Sequence, residues 1–244
     1  MTMYQQRFSL KCHPIPKDAQ GKTFFDKTSG YIRLARGFQR LLEDGGLGVL
    51  TAEAGVGKTA SLRNLCHQLP RPEYLVLYLS DTAVSPLDLY RTLAIELGVR
   101  PSHRRAQLWA DIKKTLVHLV DERGTSPVIV IDEAQHLSDR FLVDLSGFLN
   151  FTFDSRDLLT LWLAGLTPLR KHLQMQAHAA LKTRVAVEVH LDPLDRDTFN
   201  LFIDHGLKAA GATTKLLSEP ALELLFHSSR GLPRVASKLL RAAL

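Results

Sequence analysis

Apolar residues fall along this chain in two alternating rhythms. Short continuous runs occupy 47–51, 74–79, 128–131, 158–164 and 185–191. The first four are nearly unbroken in Val, Leu and Ile, the pattern of strands buried on both faces, as in a parallel sheet. Between the runs the apolar positions recur every three or four residues: Leu89, Leu93 and Leu97 form one stripe, and Leu108, Ile112, Leu116 and Leu119 or Val120 another. That spacing predicts helices packed by one face. A helix over 28–43 leads into the first run. Strands alternating with helices predict an α/β fold with a five-stranded parallel sheet. After Leu191 the strands stop. Three helical stretches follow at 195–207, 219–227 and 233–244, broken by Gly211 and by Arg230-Gly231. The expected organisation is an α/β domain over 1–191, with a poorly patterned N-terminal segment wrapping over its surface, and a small helical lid over 192–244.

Composition narrows this picture in only a few respects. In 244 residues, 45% are hydrophobic and 23% charged, enough apolar material for a real core and too much for global disorder. No apolar run approaches the length of a bilayer span, and the N-terminus has no apolar signal core, so neither membrane insertion nor export is expected. Two cysteines, Cys12 and Cys66, are too few for a disulfide framework and fit no metal spacing; they read as ordinary thiols in a reducing cytoplasm. Lys and Arg total 31 against 25 Asp and Glu, a net charge of +6 that permits a polyanionic partner without requiring one.

The first run passes into Ala52-Glu53-Ala54-Gly55-Val56-Gly57-Lys58-Thr59, which opens a helix at Ala60. A glycine loop between a strand and a helix is the context of a phosphate-binding P-loop. Gly55, Val56, Gly57 and Ala60 would turn backbone N–H groups inward, Lys58 would reach the β and γ phosphates, and Thr59 would bind Mg2+. The helix N-terminus adds its dipole at the same place. Ala52 stands where the strict pattern has its first glycine, a replacement small enough for the turn.

The third run ends in Asp132-Glu133, 74 residues after Lys58. An acidic pair there looks like a Walker B element, with Asp132 holding Mg2+ and Glu133 orienting or deprotonating an attacking water. Its other reading is a helix cap. The fourth run ends at Gly165-Leu166-Thr167, where a polar residue senses the γ-phosphate in ring ATPases. Leu166 is apolar, so Thr167 is the candidate, against a simple strand-to-helix turn. Arg184, just before the fifth run, is either an arginine finger acting in trans or a solvated helix-end cation. Arg234 follows Pro233 in the last helix and either folds back over the nucleotide as a second sensor or is a surface charge.

Together AEAGVGKT, VIVIDEAQHL, LAGLTPLRKHL, LKTRVAVEVHLDPLDRDTF and GLPRVASKLL, in this order and spacing, resemble the AAA+ ATPases of the ExeA-like group and of the transposition helpers TnsC, TniB and MuB. The resemblance runs from about Phe8 through Leu244. It implies a P-loop NTPase sheet of the ASCE type with a helical lid, ATP and Mg2+ as ligands, and assembly into rings or helical filaments with ATP between subunits. It also implies two partner classes. A freestanding ATPase of this length is typical of helpers that bind duplex DNA non-specifically and recruit a transposase; the ExeA-like alternative acts on protein partners only. Non-specific DNA affinity needs a basic surface. Arg100, His103, Arg104, Arg105, Lys113 and Lys114 form the densest basic stretch, with a solvated helix start as the plainer reading. Aromatic stacking platforms for single strands are not evident, since Trp162 lies in a strand and Trp109 at helical core spacing.

Overall fold

The computed structural model describes residues 7–8, 10–16, 29–151 and 157–243. Along the chain run α1 (Ser29–Asp44), β1 (Gly46–Ala52), α2 (Lys58–His67), β2 (Tyr74–Leu79), α3 (Pro86–Glu96), α4 (Arg105–Asp121), β3 (Ser126–Ile131), α5 (Asp139–Phe148), β4 (Thr160–Leu166), α6 (Pro168–Leu173), α7 (Ala179–Lys182), β5 (Val185–Leu191), α8 (Arg196–Ala209), α9 (Glu219–Ser229) and α10 (Pro233–Ala243). Short 3₁₀ turns occupy Ala134–His136 and Gln176–His178. All five expected strands and the helical stripes are present. Tyr31, Leu34, Phe38 and Leu41 of α1 are buried in the three-four spacing that makes a helix amphipathic.

The chain divides into two compact units. The larger comprises Arg33–Ala52 and Lys58–His190; the smaller gathers the described residues up to Ile32, Glu53–Gly57 and Leu191 onward. In the larger unit the sheet order is β2-β3-β4-β1-β5. β1 pairs parallel with β4 from Gly46 opposite Thr160 to Ala52 opposite Leu166, and β3 pairs parallel with both β2 and β4. The carboxyl ends of β1, β3 and β4 therefore finish side by side, the edge where open α/β sheets hold ligands. Leu89, Leu93, Leu108, Ile112 and Leu116 all enter the core beneath β3 and β4. Gly48 is needed where β1 passes Trp162, because a Cβ there would lie 2.7 Å from the indole ring, which stacks on Phe38.

β2 departs from the expectation of burial on both faces. Val76 and Tyr78 are exposed because β2 ends the sheet and pairs only with β3.

In the smaller unit, Phe199, Phe202, Ile203, Leu207, Leu222, Leu225 and Leu240 bury one another across α8, α9 and α10. Each such side chain contributes about 1.5–3 kcal/mol. Lys11 and Ile15, in the N-terminal segment assigned from sequence to the α/β domain, instead contact these helices. Lys11 N–H donates to the Ala210 carbonyl at 2.7 Å, and the Ile15 carbonyl accepts from Ser237 Oγ and Arg241 Nη2. The physical reason is that an irregular segment must satisfy its backbone groups through side chains and free helix-end groups, and α8 and α10 offer both.

Candidate nucleotide site

The site begins where β1 ends. Ala52 is the last strand residue and fully buried. Among the described residues only Glu133 and Arg230 have positive φ without being glycine, so Ala52 keeps ordinary strand geometry and its substitution for glycine carries no strain. The unusual backbone falls on Gly55 and Gly57, with φ of +90° and +122°. Only glycine takes these angles without cost. In the smaller unit the Arg234 N–H donates to the Gly55 carbonyl at 3.2 Å, and a Cβ on Gly55 would meet Arg234 Cβ at 3.0 Å. The structure thus brings the expected second sensor against the glycine turn.

In the larger unit α2 starts at Lys58, whose buried Nζ donates to the Ala52 carbonyl at 3.3 Å. The next residue makes the central contact. Thr59 Oγ1 donates to Asp132 Oδ2 at 2.5 Å, joining the start of α2 to the end of β3. Asp132 is buried, and its carboxylate also accepts from the Tyr78 hydroxyl at 2.9 Å and from the Glu133 N–H at 2.9 Å. Three donors around one buried carboxylate satisfy its oxygens and fix its orientation. Desolvation of the hydroxyl end, reinforced by the Asp132 charge, pushes the half-exposed Tyr78 far above the usual phenol range, so it remains a donor.

Glu133 sits in the left-handed region at φ +51°, a conformation costing a non-glycine residue about 1–3 kcal/mol. Several bonds retain it: its N–H to Asp132, its carbonyl from Thr82 Oγ1 at 2.8 Å and from the His136 N–H at 3.1 Å, and its carboxylate from Gln135 Nε2 at 2.7 Å. Glu133 stands at the N-cap of the 3₁₀ turn that follows but makes no side-chain cap bond there, and α5 is capped instead by Ser138, whose Oγ accepts from Phe141 N–H. Sequence reasoning missed Tyr78, Thr82 and Gln135. Tyr78 lies inside an apolar run and Thr82 in a loop, where neither composition nor period marks a polar contact. Gln135, two residues beyond Glu133, carried no signal except proximity.

Thr167 is exposed and makes no side-chain cap on α6. It is the Leu166 N–H, donating to Gln135 Oε1 at 2.9 Å, that joins β4 to the acidic pair. Arg184 lies elsewhere. It lines a small hollow with Gly46, Leu47 and Leu158, at the amino-terminal end of β1 and the chain leading into β4. Lys58 contacts Ala52 at the opposite end of β1, and seven strand residues span roughly 20 Å.

The six basic candidates for DNA contact divide. Arg105 pairs with Asp144 at 2.7 Å and lies over the Trp109 ring. Lys113 donates to the carbonyls of Gly147 and Asn150, and burial, followed by the charge of Arg184, lowers its pKa. Both are engaged in packing α4 on α5. Arg100, His103, Arg104 and Lys114 are exposed.

A second polar cluster joins α5, α6 and the following 3₁₀ turn. Asp139 Oδ1 contacts Nε2 of His172 at 2.6 Å and Nε2 of the buried His178 at 2.9 Å. Such a trio is a candidate metal set. These separations are hydrogen-bond lengths, shorter than the roughly 3.3 Å edge that bonds of 2.0–2.1 Å impose on a tetrahedral site. Metal at His178 Nε2 would also leave a proton on Nδ1, which is buried with no hydrogen-bond partner. The cluster acts as a hydrogen-bonded clamp. Cys66 is equally quiet chemically, burial pushing its thiol up to about 11.

A parallel sheet of this order, with a glycine turn after β1 and an acidic pair after β3, defines a P-loop nucleoside triphosphatase. The sequence profile of the AAA domain family matches residues 40–173, more than half of the chain, and the protein belongs to that family. It is 29% identical over 244 residues to General secretion pathway protein A of Aeromonas hydrophila, covering 99% of this chain but 44% of that protein. The chain therefore spans less than half the length of this curated relative. Among solved structures it resembles Cdc6p from Pyrobaculum aerophilum (TM-score 0.67, 18% identity, 93% of this chain and 64% of that one). It also resembles the Aeropyrum pernix ORC1 protein in complex with DNA (TM-score 0.66, 19% identity, 94% and 62%). At these identities the likeness is one of fold. Among the described residues no helix is long and apolar enough to cross a membrane.

Proposed function

We propose that this chain is an ATP-hydrolysing, self-assembling AAA module whose nucleotide state controls its grip on a protein partner. The observation that carries the chemistry is the 2.5 Å bond from Thr59 to the buried Asp132 carboxylate, with Glu133 next in the chain. A hydroxyl and a carboxylate already in contact are the donor set that holds Mg2+, which when bound neutralises phosphate charge. Backbone N–H groups of Gly55, Val56, Gly57 and Ala60 would receive the phosphates, Lys58 would add its ammonium, and Arg234 would close over them from the glycine turn. Glu133 would take the proton of the attacking water, its carboxylate aimed by the bonds that retain the left-handed backbone.

Arg184, at the other end of β1, is too distant to reach phosphates held at Lys58 of its own chain. Its role as a finger therefore requires a second copy, which supports an oligomer with ATP between subunits. Similarity to a secretion protein supports a protein partner. A second reading, a duplex-DNA-binding helper of a transposase, is favoured by the exposure of Arg100, His103, Arg104 and Lys114.

One experiment separates them. Sedimentation and ATPase rate are measured with ATP, ADP and no nucleotide, each with and without duplex DNA at several salt concentrations. Assembly in ATP that ignores DNA is the expected result. DNA-dependent assembly that weakens steeply with salt would replace it by the transposition reading, and absence of both ATP binding and assembly would remove the proposal altogether.

A further inference from the structure

Gln135 uses both ends of its amide on different segments, the turn after β3 and the end of β4. Nε2 donates to Glu133 Oε2 at 2.7 Å, and Oε1 accepts the Leu166 N–H at 2.9 Å. Chemistry fixes the amide's orientation: a carboxylate only accepts and a backbone N–H only donates, so the two ends cannot be exchanged. A second observation is independent of these bonds. A Cβ on Gly165 would lie 2.8 Å from Gln135 Oε1 and 3.1 Å from its backbone N, so the end of β4 is bare where the amide approaches. A third is the left-handed backbone of Glu133, which sets its carboxylate within reach of a residue only two positions later.

We infer that Gln135 is a positioning residue that ties the Glu133 carboxylate to the end of β4, a polar link at the strand end where Leu166 has no polar side chain. Glu133 and the backbone of β4 then move as one piece. A shift at the strand end, where the γ-phosphate would be read, becomes a change in the aim of the base. The inference rests on the proposed ATPase reading for its consequence in catalysis, but the tether itself exists without nucleotide and is measurable without it.

Gln135→Leu removes both amide ends at similar volume, and Gln135→Glu keeps an acceptor for Leu166 while setting a like charge against Glu133. In Gln135→Leu, kcat is expected to fall roughly 10–100-fold with KM for ATP within about twofold. Hydrogen exchange of the Leu166 amide in the nucleotide-free protein, read by NMR, should quicken by about tenfold. Gln135→Glu should lose kcat yet retain slow exchange at Leu166. Glu133→Ala, without nucleotide, should also quicken that exchange by freeing the amide. Unaltered Leu166 exchange in both Gln135→Leu and Glu133→Ala overturns the tether whatever happens to kcat; an unchanged kcat in Gln135→Leu, or a loss shared equally with KM, overturns its positioning role. If the unmodified protein does not bind ATP, the ATPase reading fails while the exchange result still decides the tether.

Discussion

The two ends of the central sheet are built on opposite principles. At the carboxyl end, carboxylates converge: Asp132 and Glu133 are held by Thr59, Tyr78, Thr82 and Gln135, and the backbone is strained to aim one of them. The amino end is looser. Arg184 borders an open hollow of about 560 Å³ with Ser146, Gly147, Asp157 and Thr183, and its charge helps lower the pKa of Lys113 nearby. One end is a finished constellation with few degrees of freedom; the other is an open hollow lined by one arginine, one aspartate and small residues. An anionic ligand held by Lys58 at the first end of one copy and met by Arg184 at the second end of another would join unlike ends, a head-to-tail contact that builds rings or filaments rather than closed pairs.

The contrast breaks most sharply at Arg184. If the amino end of one copy completes the carboxyl end of another, Arg184→Ala should lower kcat about 10³-fold. Mixing it with Lys58→Ala, itself inactive through lost nucleotide affinity, should restore a fraction of the rate, because some junctions then carry both intact ends. Titration of one variant into the other by steady-state ATPase assay checks this, and strict additivity of two dead proteins would assign each end to its own chain. Glu133→Gln should come next, with kcat lower by about 10²-fold or more and ATP affinity within twofold, measured by phosphate release beside equilibrium binding.

The glycines sharpen the comparison with a smaller effect. Gly45, at the amino end, has φ +75°, and a Cβ there would lie 2.3 Å from the Asp157 carbonyl. Gly45→Ala should cost about 2–4 kcal/mol in urea unfolding, while the folded fraction keeps its turnover per site. Gly165→Ala, at the carboxyl end, should do the reverse, costing less stability and about tenfold in kcat through displacement of Gln135.

The smallest expected effect is at Asp139, flanking the sheet. Hydrogen bonds from His172 and then His178 hold its carboxyl below the usual carboxylate range. A depressed folded pKa means stabilisation present above the unfolded value near pH 4 and lost as pH falls through the folded one. Asp139→Asn should therefore melt a few degrees lower than the unmodified protein at pH 7, with the difference shrinking as the pH falls below about 4, as followed by circular dichroism.

Much of this architecture was legible before any coordinates. The strand runs, the helical stripes and the P-loop follow from period and from local motifs, because side-chain burial repeats at 2 or 3.6 residues and a phosphate loop needs glycines at fixed spacing. Lys58, Thr59, Asp132 and Glu133 stood out for the same reason. What stayed hidden depended on residues distant in sequence. Tyr78 read as one more apolar strand residue until β2 fell at the sheet edge beside β3, which turned its hydroxyl onto Asp132. The basic stretch read as a charge patch until α4 met α5, where Asp144 and the Gly147 and Asn150 carbonyls took up Arg105 and Lys113.

The sequence by itself determined that this protein folds as a five-stranded P-loop sheet and where along the chain its candidate phosphate and metal ligands lie, since both are written in local spacing. Only the tertiary structure decided that Thr59 meets Asp132, that Gln135 bridges Glu133 to β4, and that Arg184 stands a strand's length from Lys58. These relations are set by strand order and register, which depend on how the whole core packs and leave no periodic trace in any one segment.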